Sequence, residues 1–321
     1  MSDSKLLTNE SPLPHSSINW NDWLEIFILH KKSQGLSART IHDYEYHVPY
    51  FFNHYAQKDL TPENLKLAIL KYFADLGNGY SAYTYNTRRK ILKTFFLWVV
   101  SEGLLQLNPI TSIKKRREDT KPKAANEDIL KQLLDLINRK TFVGLRDYAI
   151  LLITMDCGIR PSEVFGLNVS DVNIKSLEVN IRASVSKTRV SRTLPLSPVT
   201  AETIKQLILN RHPAWDDNTP LFCTEDGRKA VTNTWRERLK VYGKQLGIKI
   251  TPYALRHSFA VMFLRCGGNV FSLQRMLGHS NLYMTKRYVS VSQTDLVQQH
   301  TLATPLNKLV TQRNRVRNLK Y

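Results

Sequence analysis

Apolar residues recur at helical spacing through most of the first hundred positions. Trp20, Trp23, Leu24, Phe27 and Ile28 predict a first helix that Gly35 ends. Ser37 then caps a second, carrying Ile41, Tyr44, Val48, Phe51, Phe52 and Tyr55, with Pro49 predicting a kink or break inside it. Thr61-Pro62-Glu63-Asn64 is a helix start with Pro at the first helical position, for a helix bearing Leu65, Ile69 and Phe73. Gly77-Asn78-Gly79 predicts a turn. Ser81 to Glu102 reads as a long helix, with Ile91, Leu92, Phe95, Phe96 and Val99 on one face and Arg88, Arg89, Lys90 and Lys93 on another. Asn108-Pro109 closes this region. Residues 18–113 therefore read as an all-helical domain, and residues 1–17, rich in Ser, Pro and Asn, as a flexible lead.

The run Lys114 to Lys123 holds a Pro and no apolar residue, so residues 114–125 read as a basic, solvated linker. Helices resume over Asp128–Asn138 and Phe142–Cys157, followed by Gly158 and a short helix ending near Leu167. Period-two alternation over Leu177–Arg182 and Ser191–Leu196 predicts two strands, joined by a polar turn holding Lys187. Ser197-Pro198 opens a helix through Ile208, Thr232 caps another to Leu246, and Thr251-Pro252 starts one that Gly267-Gly268 ends. Two short helices follow, parted at Gly278-His279-Ser280. The expected fold is mainly α with a small β-sheet: an α+β domain over 126–302, and a basic tail over 303–321 in which Leu306, Leu309 and Val310 are possible anchors. No internal repeat is visible.

Composition narrows the function. Forty-six Lys and Arg against 27 acidic residues leave a formal charge of +19, which points to a polyanionic partner, nucleic acid first. Cys157, Cys223 and Cys266 form no metal-binding spacing, and so sparse a set suits a reducing cytoplasm. Cys157 and Cys266 read as small buried hydrophobes. The polar start lacks a targeting segment, and no apolar run approaches the ~20 residues that span a bilayer.

The chemistry-bearing residues concentrate late in the chain. Arg256-His257, Leu277-Gly278-His279 and Tyr288 supply a guanidinium, imidazoles and a phenol over three short helical runs. The guanidinium clamps phosphate oxygens in a fork, the imidazole adds a donor, and the phenol is a nucleophile for phosphorus. Upstream, Arg160 and Glu163 share a helix face; alone they read as a surface ion pair worth less than ~1 kcal/mol. A tyrosine on an apolar face is ordinarily core, and Tyr283 rivals Tyr288 in the same segment.

The ordered set resembles the tyrosine recombinases of the phage integrase family, whose pattern runs G-x-R-x-S-E, then H-x-x-R-H, then L-G-H, then a nucleophilic Tyr. Gly158-Ile159-Arg160-Pro161-Ser162-Glu163, Tyr253 to His257, Leu277-Gly278-His279 and Thr285-Lys286-Arg287-Tyr288 match these boxes. The resemblance implies that Arg160 and Arg256 clamp the phosphate, that Glu163 orients the site, that His279 is a donor, and that Tyr288 is the nucleophile. It places the general acid on Lys187, eight residues before Pro195, over Arg189 and Lys175. Tyr253 stands where the family usually has His. A phenol is a poor base near neutrality, which leaves the base for Tyr288 open; His257 reads as a structural donor to backbone or carboxylate.

The resemblance further implies a core-binding, SAM-like N-terminal domain that clamps duplex DNA against the catalytic domain, with Arg88, Arg89, Lys90 and Lys93 as phosphate contacts or, on the blander reading, a solvated face. It implies a site-specific, metal-independent and cofactor-independent DNA strand transferase acting as a homo-tetramer on two DNA sites in the cytoplasm, with accessory DNA-bending proteins as further partners. A type IB topoisomerase-like relaxing enzyme and a catalytically lapsed DNA-binding protein are the rival readings.

Overall fold

The computed structural model describes residues 19–56, 60–118, 124–216, 219–289, 297 and 300–310. The chain forms two compact units, Met1–Asp119 and Thr120–Tyr321. The expected lead (1–17), the centre of the expected linker (119–123) and the end of the basic tail (311–321) lie outside the described residues.

The first unit holds α1 (Trp20–Ser33), α2 (Ala38–Tyr55), α3 (Pro62–Gly79) and α4 (Ala82–Ser101). Each begins at a polar cap, Asn19, Ser37, Thr61 and Ser81, whose side chain accepts a backbone N–H of the first turn. The core is aromatic. Phe27, Phe51, Phe52, Tyr72, Phe95 and Phe96 are buried, with Phe27 edge-on to Phe95 at 5.3 Å and Phe51 edge-on to Tyr72 at 5.4 Å. Of the kink or break expected at Pro49, the break does not occur: α2 runs on through it, with Val48, Phe51 and Phe52 all buried around it, and their packing outweighs one missing ladder hydrogen bond. Gly77-Asn78-Gly79 is not a turn but the end of α3, where Arg116 Nη1 donates to the Gly77 carbonyl at 2.7 Å and partners a group the helix end leaves open.

In the second unit come α5 (Glu127–Leu136), α6 (Phe142–Cys157), α7 (Pro161–Val164), β1 (Val172–Asn173), β2 (Glu178–Ile181), β3 (Arg192–Pro195), α8 (Pro198–Leu209), α9 (Thr232–Gln245), α10 (Pro252–Arg265), α11 (Val270–Leu277) and α12 (Tyr283–Lys286). Helix α6 is buried on all sides and packs against α8 and α10, so its C-terminal end is fixed deep in the unit. The sheet is antiparallel in the order β1-β2-β3, with Val179 opposite Leu194 and Ile181 opposite Arg192. Val179, Ile181 and Leu194 face the core. Strand β1 was not foreseen, because two residues are too few to display alternation. Cys157 is buried, as expected, and its thiol donates to the Pro195 carbonyl at 3.2 Å. Cys266 is exposed instead of buried, since it caps α10 beyond the last residue that α10 packs inward. Among the described residues no helix is long and apolar enough to cross a membrane.

Candidate active site

Helix α6 ends at Gly158 in the left-handed conformation (φ 61°), where a Cβ would lie 2.2 Å from the Phe259 ring. The turn delivers Arg160 as the N-cap of α7. Glu163, fully buried, accepts from the Arg160 backbone N–H at 3.1 Å through Oε2 and from Arg160 Nη1 at 3.0 Å through Oε1. Arg192 on β3 completes the carboxylate's partners, with Nη2 to Oε2 at 2.6 Å and Nη1 to Oε1 at 3.2 Å. Burial pushes the Glu163 carboxyl up, but the hydrogen bonds and charge of Arg192, with the charge of Arg160, outweigh it and hold the group below the usual carboxylate value. It is a carboxylate at neutral pH.

Three guanidiniums converge on one short stretch of backbone. Arg192 Nε donates to the Met276 carbonyl at 3.1 Å, Arg256 Nη2 to Leu277 at 2.8 Å, and Arg160 Nη2 to Gly278 at 2.8 Å. Arg256 Nη1 also donates to the Gly158 carbonyl at 2.5 Å, tying the end of α6 to the end of α11. The stretch closes at Gly278, again left-handed (φ 60°), where a Cβ would press on Arg160 Nη1 and Arg192 Cζ at 3.2 Å. Arg160 and Arg256 are only 6% and 4% exposed. Three positive groups against the single negative Glu163 leave a surplus of two charges. Burial, then the Arg160 charge, pushes Arg256 down to about 9. A bound dianion or phosphodiester would relieve that repulsion.

The remaining groups edge this cluster. His279 Nε2 lies 3.3 Å from Arg256 Nη2 and Nδ1 lies 2.9 Å from Thr285 Oγ1. A guanidinium only donates, so Nε2 is the acceptor and Nδ1–H donates to Thr285. Burial, then the charges of Arg256 and Arg160, pushes His279 down to about 4, so the ring is neutral near pH 7. Tyr288 follows α12 and is 7% exposed, packed with Phe259, Ala260, Leu273 and Leu277. Its hydroxyl is 2.6 Å from Nδ1 of His257. Burial raises the phenol's pKa, while Arg287 and Arg256 draw it back.

The structure thus brings Arg160, Glu163, Arg256, His279 and Tyr288 into one connected cluster. Lys187 is exposed on the connection between β2 and β3, and no hydrogen bond or ion pair joins it to the cluster. Tyr253, 49% exposed in the first turn of α10, is likewise not joined to it; Tyr283 is 80% exposed, against 7% for Tyr288. In the first unit the four basic residues of α4 are not equivalent. The Arg88 guanidinium lies over the Tyr80 and Tyr50 rings at 4.5 and 5.6 Å, and Arg89 Nε donates to the Ile113 carbonyl at 2.5 Å. Arg89, Lys90 and Lys93 line a groove with Tyr83, Asn86 and Lys115.

Two site residues stand outside the sequence motifs or differ from their expected role. Arg192 belongs to none of the motifs, although alternation puts it on the same face of β3 as buried Leu194. His257 was expected to bond backbone or carboxylate, and its partner is the Tyr288 hydroxyl, a contact across 31 residues that no local pattern signals. Among the described residues no group of three or more His, Cys, Asp or Glu is placed to hold a metal ion.

Residues 123–295 match the phage integrase family. The chain is 29% identical over 304 residues to the tyrosine recombinase XerC of Thermodesulfovibrio yellowstonii, covering 90% of this chain and 98% of that protein. It is 31% identical over 279 residues to the tyrosine recombinase XerA of Pyrococcus horikoshii, covering 85% and 90%. In fold it is similar to the Tn1549 transposon integrase, solved in complex with a circular intermediate DNA, with a TM-score of 0.71 at 19% identity over 89% of this chain and 99% of that one. The chain belongs to the phage integrase family, the tyrosine recombinases.

Proposed function

We propose that this protein is a site-specific DNA recombinase that cuts and rejoins strands through Tyr288. Tyr288 Oη attacks the scissile phosphorus and the bond to the 5′-oxygen breaks, leaving a 3′-phosphotyrosyl ester and a free 5′-hydroxyl. The ester keeps the energy of the broken phosphodiester. A 5′-hydroxyl from a partner strand therefore reverses the step on a new duplex with no nucleotide consumed. Arg160 and Arg256 hold the non-bridging oxygens and oppose the charge that builds in the pentacoordinate transition state, with His279 as a further donor once its proton moves to Nε2 and Nδ1 accepts from the Thr285 hydroxyl. Glu163 orients Arg160, and Lys187 protonates the departing 5′-oxygen once DNA orders its exposed connection.

The observation that carries this reading is the anchoring of Arg160 and Arg256 to neighbouring carbonyls beside a buried tyrosine, in a cluster with an excess of two positive charges. Duplex DNA is the partner, consistent with a net charge of +19 and with relatives named for recombination. Arg89, Lys90 and Lys93 supply salt-sensitive phosphate contacts from the first unit, and Arg88, stacked on Tyr80 and Tyr50, chiefly shapes the face that carries them. Four protomers act on two DNA sites in the cytoplasm, assisted by accessory DNA-bending proteins.

The test uses two copies of a duplex selected by the protein from random-sequence DNA, placed in one plasmid. Recombination predicts two resolved circles, dependent on both copies. Relaxation of a plasmid without either copy marks a topoisomerase-like enzyme, and tight binding with no strand change marks a protein that only binds.

A further inference from the structure

Nucleophilic attack by Tyr288 requires that its phenolic proton go somewhere, and the position where the family usually carries an imidazole holds Tyr253, which is exposed and is itself a phenol. Resting on the strand-transfer reading above, we infer that His257 is the general base, taking the Tyr288 proton directly at Nδ1.

Geometry singles it out. His257 Nδ1 is 2.6 Å from the Tyr288 hydroxyl, with the ring centroids 5.6 Å apart, so the acceptor touches the reacting atom. The other imidazole of the site is committed: His279 accepts from Arg256 at one nitrogen and faces Thr285 with the other. Lys187 has no bond to the cluster. The two partners are fixed independently, His257 by α10, whose Arg256 and Ser258 are buried on either side of it, and Tyr288 by its place against Phe259 and Leu277.

The charge state also fits. Burial, then the charges of Arg287 and Arg256, pushes His257 down to about 4, so it is neutral and able to accept a proton at pH 7. With Nδ1 as acceptor, the ring's own proton sits on Nε2. A base so depressed is weak in the free protein. Arg256 is one of the groups a DNA phosphate would offset, so the anion that Tyr288 attacks removes part of the charge that opposes protonation of His257. The balance closes: Oη–H gives its proton to Nδ1, Oη–P forms, P–O5′ breaks, and the 5′-oxygen takes a proton from the general acid. In rejoining, the imidazolium returns its proton to the phenolate.

The test measures the rate of covalent adduct formation by the full-length protein on a nicked duplex carrying its selected site, with either a normal or a sulfur-substituted 5′-bridging atom at the cleaved phosphate. His257→Asn keeps a hydrogen-bonding group beside the hydroxyl but takes no proton, and His257→Gln is the second variant in case the first does not fold. We expect adduct formation to slow by about 100-fold or more, with DNA affinity retained. The sulfur leaving group, which needs no acid, should not restore the rate, and a fluorinated, more acidic tyrosine at position 288 should restore much of it. A variant within about tenfold of wild type reduces His257 to a holding role and overturns the inference. Rescue by sulfur alone makes it the acid and does the same. If the unaltered protein forms no adduct, the strand-transfer reading itself fails, and this inference fails with it; an adduct with wild type and no loss in the variants leaves that reading standing alone.

Discussion

Arg160 and Arg256, distant in sequence, donate to the adjacent carbonyls of Gly278 and Leu277 at 2.8 Å each. Consecutive carbonyls fix the spacing of the two guanidiniums more tightly than side-chain packing alone, since each bond must also satisfy a backbone group removed from water. The arrangement makes a rigid, twofold-positive recess out of the turn that ends α11.

Arg256→Lys should therefore lose more than charge geometry. An ammonium cannot reach the Gly158 and Leu277 carbonyls together as the guanidinium does, so one buried carbonyl is left without its partner, at about 1–3 kcal/mol. We expect strand cleavage to fall by about 100-fold or more in single-turnover assays, with a lowered melting temperature and DNA binding largely kept.

Arg192 makes the sharpest stability prediction. It supplies two of the hydrogen bonds that neutralise fully buried Glu163. Arg192→Met leaves that carboxylate short of a partner and should destabilise the second unit by about 3–5 kcal/mol, measured by denaturant unfolding. Adding Glu163→Gln in the same chain should recover part of the loss, because the stranded charge is gone.

Gly278→Ala tests the turn itself. The left-handed backbone strains any side chain, and the new Cβ would press on Arg160 and Arg192 at 3.2 Å. The expected outcome is a loss of about 1–2 kcal/mol in stability together with a larger loss in cleavage rate, because both displaced groups belong to the anion recess.

Acid should unsettle the second unit through its histidines. His257 and His279 both drop from 6.5 to about 4 on folding, so between those values the unfolded chain binds more protons than the folded one. Stability is then fully present above about pH 6.5 and is lost as pH falls towards about 4. Melting temperatures from pH 7.5 to 4.5 should follow this slope, and the double variant His257→Asn with His279→Asn should flatten it.

Much of the architecture was legible because caps and periodicity are local. Ser37, Thr61, Ser81 and Ser197 all cap helices, and the alternation in β2 and β3 located the hairpin to within a residue at each end. Pro49 and Gly77 misled because tertiary partners, the aromatic core in one case and Arg116 in the other, override a local preference. Within the site, motif spacing brought Arg160, Arg256, His279 and Tyr288 to notice. The role of Arg192 as partner to Glu163, and of His257 as partner to Tyr288, depends on contacts between elements far apart in the chain. The four basic residues of α4 look alike in sequence, and only the ring stacking of Arg88 separates it from Arg89, Lys90 and Lys93, which line one groove.

The most direct measurement traps the covalent intermediate. Full-length protein is incubated with a nicked duplex of its selected site, so that the cut strand diffuses away, and the DNA-linked peptide is mapped by mass spectrometry. A nucleotide ester on Tyr288, abolished by Tyr288→Phe while binding persists, is the predicted result. An adduct on Tyr283 or another residue, or an undiminished adduct in Tyr288→Phe, would contradict the account.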